Sequence, residues 1–147
     1  MHVNIMRPCV GIDSPRALYD DQINSRQTIG GDGKYYNYFT TRNTPKRAYE
    51  ILNGGSVFWI VKAKIVMRQT IVNIETHLDD NGKKYCLIIK DPEIMLVQPT
   101  PQRAMQGWRY LEAASSPKDL YPFDPDNEPD EHVDPQMAKD LAELGLL

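Results

Sequence analysis

The sequence predicts an α+β fold: a mainly antiparallel sheet, or a small partly open barrel, with two short helices and an acidic tail that ends in a short helix. Three observations predict it. Extended apolar segments dominate the chain up to residue 112, Ser14-Pro15 and Thr44-Pro45 each mark a helix start, and the composition turns acidic and proline-rich afterwards. With 147 residues, 41% of them hydrophobic, the chain can bury a core without disulfides.

The first part of the chain predicts a strand, a helix and a second strand. Residues 2–10 are extended and largely apolar, and form the first strand. Ser14 then offers a side-chain oxygen to free N–H groups, and Pro15 suits the first helical position, so a helix begins here and fades near residues 26–28. The glycine cluster at residues 30–33 is a turn, and the aromatic-rich residues 35–42 form the second strand.

The middle of the chain predicts a short helix and a hairpin. Thr44 is the expected cap of a helix over residues 45–52, which ends at two glycines. Asn81-Gly82 favours a hairpin turn because both residues tolerate the positive φ angles that such turns need. The return strand covers residues 83–90, and a further extended segment covers residues 94–97.

Residues 56–69 are predicted to be one strand with a basic face. Alternation places apolar side chains at odd positions and Lys62, Lys64 and Arg68 at even positions, with a bulge near residues 69–70. Two interpretations of the three cations stay open. They are the solvent-facing side of a sheet, where lysine is common, or they hold a nucleic-acid backbone.

Two further groups of residues favour an anionic partner. Residues 106–111 contain Trp108 and Arg109, close to Arg103, and both tryptophan and arginine offer flat faces for stacking on a base. The alternative is that Trp108 packs in the core while Arg109 is solvated. Lys46 and Arg47 lie at the expected N-terminus of the second helix, where backbone N–H groups favour anions.

Charge divides the chain into three predicted parts. Residues 1–112 form the α+β domain, with 15 basic and 11 acidic residues and a net charge of +4. Residues 113–147 hold 2 basic and 9 acidic residues, a net charge of −7, and their first part, 113–134, is an acidic Pro-rich linker. Residues 135–147 form an amphipathic helix whose apolar face carries Met137, Leu141 and Leu144.

Common catalytic and metal-binding motifs are absent from the sequence. It contains no Walker phosphate loop, no dinucleotide fingerprint and no nucleophile elbow, and its histidines and cysteines lack zinc-ligand spacing, so no metal or other cofactor is expected. Cys9 and Cys86 lie in apolar segments and are expected to be free and buried. Without a secretory leader or a long apolar span, we expect a cytoplasmic protein with no membrane partner.

Several short motifs together resemble a family of uncharacterised bacterial proteins of about this length. They are Val10–Ser14, Pro45–Ala48, Gly54–Lys62, Arg68-Gln69 and Gln106–Leu111. The resemblance covers residues 3–111, leaves the tail outside, and implies no activity because that family has none assigned. The element order is also similar to PUA-like barrels, which commonly bind RNA or modified bases, and this implies a function only by analogy of fold.

Three functions remain open at this point. The first is a nucleic-acid-binding module for RNA or single strands, in which the basic sheet face holds phosphates and Trp108 and Arg109 stack on a base. The second is a protein-interaction adaptor that uses the C-terminal helix as a docking peptide. The third is a small enzyme acting on a nucleotide or a modified base, for which no catalytic residue can be named.

Overall fold

The computed structural model describes residues 2–24 and 27–127, and they form nine strands and two α-helices. In chain order the elements are β1 (Val3–Pro8), α1 (Pro15–Asn24), β2 (Gln27–Ile29), β3 (Tyr35–Thr41), α2 (Ala48–Ile51), β4 (Ser56–Val61), β5 (Lys64–Leu78), β6 (Lys84–Lys90), β7 (Met95–Pro101), β8 (Arg109–Glu112), a 3-10 turn (Ala113–Ser115) and β9 (Asp119–Pro122). The predicted α+β class with two short helices is confirmed.

The strands form one mixed, open sheet. Its main path runs β2-β3-β6-β5-β4-β1-β8, and β7 pairs with both β5 and β9. Strands β1 and β4 are parallel, while the other pairs are antiparallel. The expectation of a mainly antiparallel sheet is therefore met with one parallel pair in it, and the sheet does not close into a barrel.

Strand β4 is buried on both faces and separates two apolar clusters. Val57, Trp59 and Val61 belong to the larger cluster, which also receives residues from β1, β3, β6 and both helices. Phe58 and Ile60 belong to a smaller cluster on the other side. Every residue of β4 is buried, so alternate side chains of this strand pack into the two clusters, and neither face of the strand is exposed to solvent.

The prediction of one strand over residues 56–69 is wrong, because the chain reverses within it. Lys62 and Ala63 form a two-residue turn, with φ angles of +51° and +64°, and β5 then returns antiparallel to β4. Trp59 consequently lies opposite Met67 on the returning strand. The pairing with β4 is regular at residues 69–70, where a bulge was predicted, and the register shifts of β5 lie between Ile71 and Asn73 and between Ile65 and Met67.

The helix starts are only partly as predicted. The Ser14 hydroxyl accepts a hydrogen bond from the backbone N–H of Ala17 over 3.0 Å, which confirms the cap of α1. Thr44 does not cap α2, because its hydroxyl bonds that of Thr76 over 2.9 Å and the helix begins after Arg47. Helix α2 is therefore a single turn, and the predicted 45–52 range is too long.

Part of the chain after residue 112 belongs to the sheet. Within the interval 113–134, expected as a linker, the 3-10 turn and β9 lie against the domain, and Phe123 packs on the larger cluster. The Arg16 guanidinium donates to the carbonyl of Pro125 over 2.8 Å. The expected C-terminal helix at residues 135–147, with Met137, Leu141 and Leu144, lies outside the described residues.

Candidate functional site

Three of the cations predicted to bind nucleic acid lie at one end of the β4–β5 hairpin. Lys62 is in the turn, Lys64 begins β5, and both are exposed. Arg103 is exposed close to this turn, because the backbone N–H of Gln102 donates to the carbonyl of Ala63 over 2.9 Å. Within the part of the chain that the structure describes, these three side chains line neither of the two concave surfaces described below.

Arg68 is paired with a carboxylate. Its Nε and Nη2 donate to the two carboxylate oxygens of Asp119 on β9 over 2.7 and 2.6 Å. Its Nη1 also donates to the hydroxyl of Ser56 over 3.0 Å. The hydrogen bond from Arg68 lowers the pKa of Asp119, and the pKa of Arg68 is raised in turn. The charge of Arg68 is therefore balanced within the sheet rather than offered to a ligand.

Arg47 is likewise held by acidic neighbours. Its Nε and Nη2 donate to Glu50 over 2.7 and 2.8 Å, and its Nη1 donates to Glu112 over 2.7 Å. The guanidinium also lies over the ring of Tyr110, 5.2 Å from its centroid. These hydrogen bonds raise the pKa of Arg47. Arg47 thus ties α2 to β8, and the adjacent Lys46 remains exposed.

A concave surface, the Lys90 cavity, lies where β1 ends beside α1, β3 and β6. Its volume is about 480 Å³. The residues that line it are Arg7, Pro8, Cys9, Val10, Ile12, Leu18, Asp21, Gln22, Asn37, Tyr38, Phe39, Trp59 and Lys90. The cavity therefore combines aromatic and amide side chains with two cations, a composition typical of small-ligand sites.

A buried network of amides holds the Lys90 ammonium. Lys90 is 4% exposed, and its Nζ donates to Oε1 of Gln22 over 2.7 Å and to Oε1 of Gln69 over 2.8 Å. The indole of Trp59 donates to the same oxygen of Gln69 over 2.9 Å. Both amide nitrogens donate to the carbonyl of Pro92, and that of Gln69 also donates to Gln22. The ammonium is thus held by neutral oxygens.

The carboxylate of Asp21 lines the same cavity, and its charge opposes the lowering of the Lys90 pKa. None of the ion pairs among the described residues includes Lys90, and burial lowers its pKa to about 8. Burial also raises the pKa of the Cys9 thiol to about 12, although the positive charges of Lys90 and Arg7 oppose that rise. The Arg7 guanidinium lies 4.7 Å from the centroid of the Phe39 ring. Burial thus keeps the Cys9 thiol protonated and unreactive despite the two cations near it.

A second concave surface, the Trp108 groove, adjoins the Lys90 cavity at Arg7, which lines both. The groove consists of two cavities of about 480 and 660 Å³ that share Arg42, Asn43 and Trp108. Its cations are Arg7, Arg42, Lys46 and Lys84, and no Asp or Glu of the described residues lines it. The groove is therefore uniformly basic.

Trp108 is the one predicted aromatic contact that lies in this groove. Its half-buried ring meets the ring of Tyr110 edge-on, with centroids 5.0 Å apart and planes at 83°. Arg109 is exposed on β8, opposite Met6 of β1, and lines neither concave surface among the described residues. Of the eight predicted nucleic-acid-binding residues, the groove brings together Trp108 and Lys46.

The sequence carried one usable signal for the residues that were missed. Cys86, Ile88 and Lys90 have the same parity in β6, so alternation alone places Lys90 on the buried face with the other two. A lysine at such a position needs polar partners inside the fold. Lys84 shares this parity but begins β6 and is exposed, and Arg7 and Arg42 show no comparable pattern.

Two structural observations concern metals and membranes. Within residues 2–24 and 27–127, no three side chains of His, Cys, Asp or Glu come together as a metal-binding group. In the same residues, no helix has both the length and the apolar character needed to cross a bilayer.

Comparison with known proteins gives one match. Residues 5–147 match the model of the family described as Protein of unknown function (DUF1489), so the chain belongs to this family. The match confirms the resemblance to a family of about this length, and it extends through the tail that the resemblance had left outside. No curated protein and no solved structure matches the sequence.

Proposed function

Since membership in this family assigns no activity, we propose from the site itself that the domain binds single-stranded nucleic acid, RNA in particular, along the Trp108 groove. The observation that carries the proposal is the groove's charge: four cations and no carboxylate among the described residues that line it. Phosphate backbones supply the complementary charge at regular spacing, and binding then releases counterions.

Three cations of the groove are available for such a ligand. Arg42, Lys46 and Lys84 are exposed, and none of the ion pairs among residues 2–24 and 27–127 uses them. Arg47 and Arg68 differ in this respect, because each is already bonded to carboxylates. The proposal therefore moves the phosphate contacts from the hairpin cations to the groove.

Trp108 supplies the stacking surface. Its side chain lines both cavities of the groove and is half-buried: part of it packs on the larger apolar cluster and on Tyr110, and part remains accessible in the groove. Unpaired bases stack on such aromatic rings, whereas the bases of a duplex are stacked on each other. A basic groove with an aromatic side chain at its middle thus favours single strands.

The test compares two triple variants with the same change of charge. Arg42→Ala/Lys46→Ala/Lys84→Ala removes three groove cations, and Lys62→Ala/Lys64→Ala/Arg103→Ala removes three exposed cations outside the groove. Fluorescence anisotropy with a labelled single-stranded RNA is recorded over a salt series. The groove variant should bind at least about tenfold more weakly, with a salt slope smaller by about 2, as expected for three lost phosphate contacts on a single strand.

The outcome of this comparison is decisive in either direction. The Lys62→Ala/Lys64→Ala/Arg103→Ala variant should keep its affinity within about twofold, because it leaves all the groove contacts in place. Equal losses in both variants, or no salt-dependent binding by the wild-type protein, would overturn the proposal. Circular dichroism of each variant establishes that a loss of binding is not a loss of folding.

The adaptor function, the likeness to PUA-like barrels, the cytoplasmic location and the enzyme stay predictions from the sequence. The adaptor function rests on Met137, Leu141 and Leu144, which lie outside the described residues. The likeness to PUA-like barrels is tested by superposing an experimental structure on them, and the cytoplasmic location by cell fractionation. No observation on the described residues favours the enzyme over the binding module.

A further inference from the structure

Asn37 and Lys90 lie directly opposite each other in the antiparallel pair of β3 and β6. Side chains at opposite positions of such a pair project from the same face of the sheet, with Cβ atoms about 5 Å apart. Both residues are buried, 5% and 4% exposed, and both line the Lys90 cavity. The two side chains therefore bring their polar groups to one cavity.

The ammonium of Lys90 has one N–H group without an acceptor among the described residues. Of its three N–H groups, two donate to Oε1 of Gln22 and to Oε1 of Gln69. The ring of Trp59 lies nearby, with its centroid 5.8 Å from Nζ. Because a donor on a buried side chain is satisfied best by a hydrogen bond, the third N–H favours a ligand that places an acceptor in the cavity.

The side-chain oxygen of Asn37 is a matching acceptor. Nδ2 of Asn37 donates to the backbone carbonyl of Gln22 over 3.1 Å, which fixes the orientation of the amide. Within residues 2–24 and 27–127, its Oδ1 accepts no hydrogen bond. Since Gln22 also accepts from Lys90, this residue of α1 holds both side chains in place. The cavity thus offers a donor and an acceptor on neighbouring strands.

We propose that the Lys90 cavity binds a nucleobase through a lactam edge, the adjacent carbonyl and ring N–H that guanine and uracil share. Lys90 donates to the carbonyl oxygen, a contact that lysine commonly makes to guanine, and Oδ1 of Asn37 accepts from the ring N–H. The inference goes beyond strand binding in the Trp108 groove, because a free nucleoside is a sufficient ligand.

The lining and the size of the cavity fit a planar heterocycle. Apolar side chains such as Leu18, Phe39 and Trp59 line it together with the polar pair, and a nucleobase is likewise apolar on its faces and polar at its edge. Its volume of about 480 Å³ accommodates a nucleoside. Adenine and cytosine carry an amino group in place of the carbonyl. In the same orientation, that group would face the Lys90 ammonium donor against donor.

The first experiment measures nucleoside binding to the full chain by ligand-observed NMR titration. Guanosine and uridine are each compared with the derivative methylated at the lactam nitrogen, 1-methylguanosine and 3-methyluridine, which lack the N–H that Asn37 accepts. We expect at least one parent nucleoside to bind at least about tenfold more tightly than its methyl derivative. Equal affinities within both pairs, or no binding of either parent up to about 1 mM, would overturn the inference.

The four common nucleosides distinguish the two bases and test the edge. The tighter of guanosine and uridine identifies the preferred base, and it should bind at least about tenfold more tightly than adenosine and cytidine. Adenosine or cytidine binding as tightly would contradict the assignment of a lactam edge. Because these probes carry no phosphate, their failure to bind would leave the groove proposal standing.

The two tryptophans of the chain locate the bound nucleoside in the wild-type protein. Trp59 lines the Lys90 cavity and Trp108 lines the Trp108 groove, so their indole N–H signals report on one site each. Trp108→Phe assigns the two signals. Titration of the isotope-labelled full chain should shift the Trp59 signal and leave that of Trp108 in place. A shift of the Trp108 signal alone would place the nucleoside in the groove and overturn the inference.

Two asparagine variants test the acceptor. Asn37→Ala removes the amide oxygen in the cavity, and the control Asn43→Ala removes an exposed amide that lines the Trp108 groove. Asn37→Ala should bind the parent nucleoside at least about fivefold more weakly and lose the preference over the methyl derivative, whereas Asn43→Ala should keep both. Unchanged binding by folded Asn37→Ala would exclude Asn37 as a ligand. If circular dichroism shows that Asn37→Ala is unfolded, the methyl derivatives and the Trp59 signal decide, since both use the wild-type protein.

Discussion

The side-chain oxygen Oε1 of Gln69 accepts two hydrogen bonds, from Nε1 of Trp59 over 2.9 Å and from Nζ of Lys90 over 2.8 Å. One buried amide thus connects an aromatic side chain of β4 to an ammonium at the end of β6. Gln69 is fully buried, so both donors depend on this oxygen rather than on solvent.

Replacing Gln69 by leucine is therefore expected to be strongly destabilising. The indole N–H and one ammonium N–H would be left without acceptors, at a cost of about 3 kcal/mol in the free energy of unfolding. Urea denaturation of the variant and of the wild-type protein measures this loss of unfolding free energy. The matched control is Gln102→Leu, since the amide of Gln102 bonds only the neighbouring carbonyl of Arg103 among the described residues. A loss below about 1 kcal/mol would show that the network is dispensable.

Burial of Lys90 predicts a rise of stability with pH. Its pKa in the folded protein is about 8, and an unfolded lysine has a pKa of roughly 10.4. Between these values the unfolded state binds more protons, so the free energy of unfolding rises with pH, by up to about 3 kcal/mol. The raised pKa of Cys9 has the opposite effect on the pH dependence of stability. That effect is present in both proteins when wild type is compared with Lys90→Met. Urea curves at pH 7 and pH 10 should therefore diverge, and parallel pH profiles would contradict the prediction.

The ion pair between Arg68 and Asp119 predicts a small acid-sensitive contribution. The pKa of Asp119 is lowered in the fold, so its stabilisation is present above the unfolded pKa of roughly 3.9 and is lost as the pH falls through the folded value. Because the carboxylate is 44% exposed, Asp119→Asn should lose no more than about 1 kcal/mol at pH 7. The difference should vanish near pH 2, and Asp80→Asn, in the exposed β5–β6 turn, should show none at either pH.

The β4–β5 turn predicts a stabilising substitution. Ala63 has a φ of +64°, a left-handed conformation that costs an alanine about 1 kcal/mol relative to glycine. Ala63→Gly should therefore raise the free energy of unfolding by about that amount. The control is Ala104→Gly, outside any helix or strand and without positive φ, which should give no gain. A loss of stability in Ala63→Gly would refute the prediction.

How much the sequence could predict depended on whether the signal was local. The cap at Ser14 and the hairpin at Asn81-Gly82 have residues that favour those conformations by themselves, and both are present, with positive φ at Gly82 and not at Asn81. The turn at Lys62-Ala63 could not be predicted, because neither residue favours positive φ and the apolar alternation continues across it.

Most residues of the candidate site could not be predicted from the sequence, for a related reason. Its cations come from distant segments, and their proximity follows from the pairing of β1 with β4 and β3 with β6, which no short pattern determines. Trp108 and Lys46 were found from residue type alone. Arg47 and Arg68 were chosen by the same reasoning. Glu50 lies only three residues after Arg47, but Glu112 and Asp119, which also pair with these arginines, are too far away in sequence to be anticipated.

The position of β1 has a consequence for synthesis on the ribosome. This strand is made before both of its partners, yet it lies inside the sheet between β4 and β8, so its last partner, residues 109–112, is translated some hundred residues later. Until then Val3 and Ile5, both fully buried in the finished fold, have no complete core to enter. Nascent chains stalled before residue 109 should therefore bind chaperones through their N-terminus, and chains released after residue 112 should not.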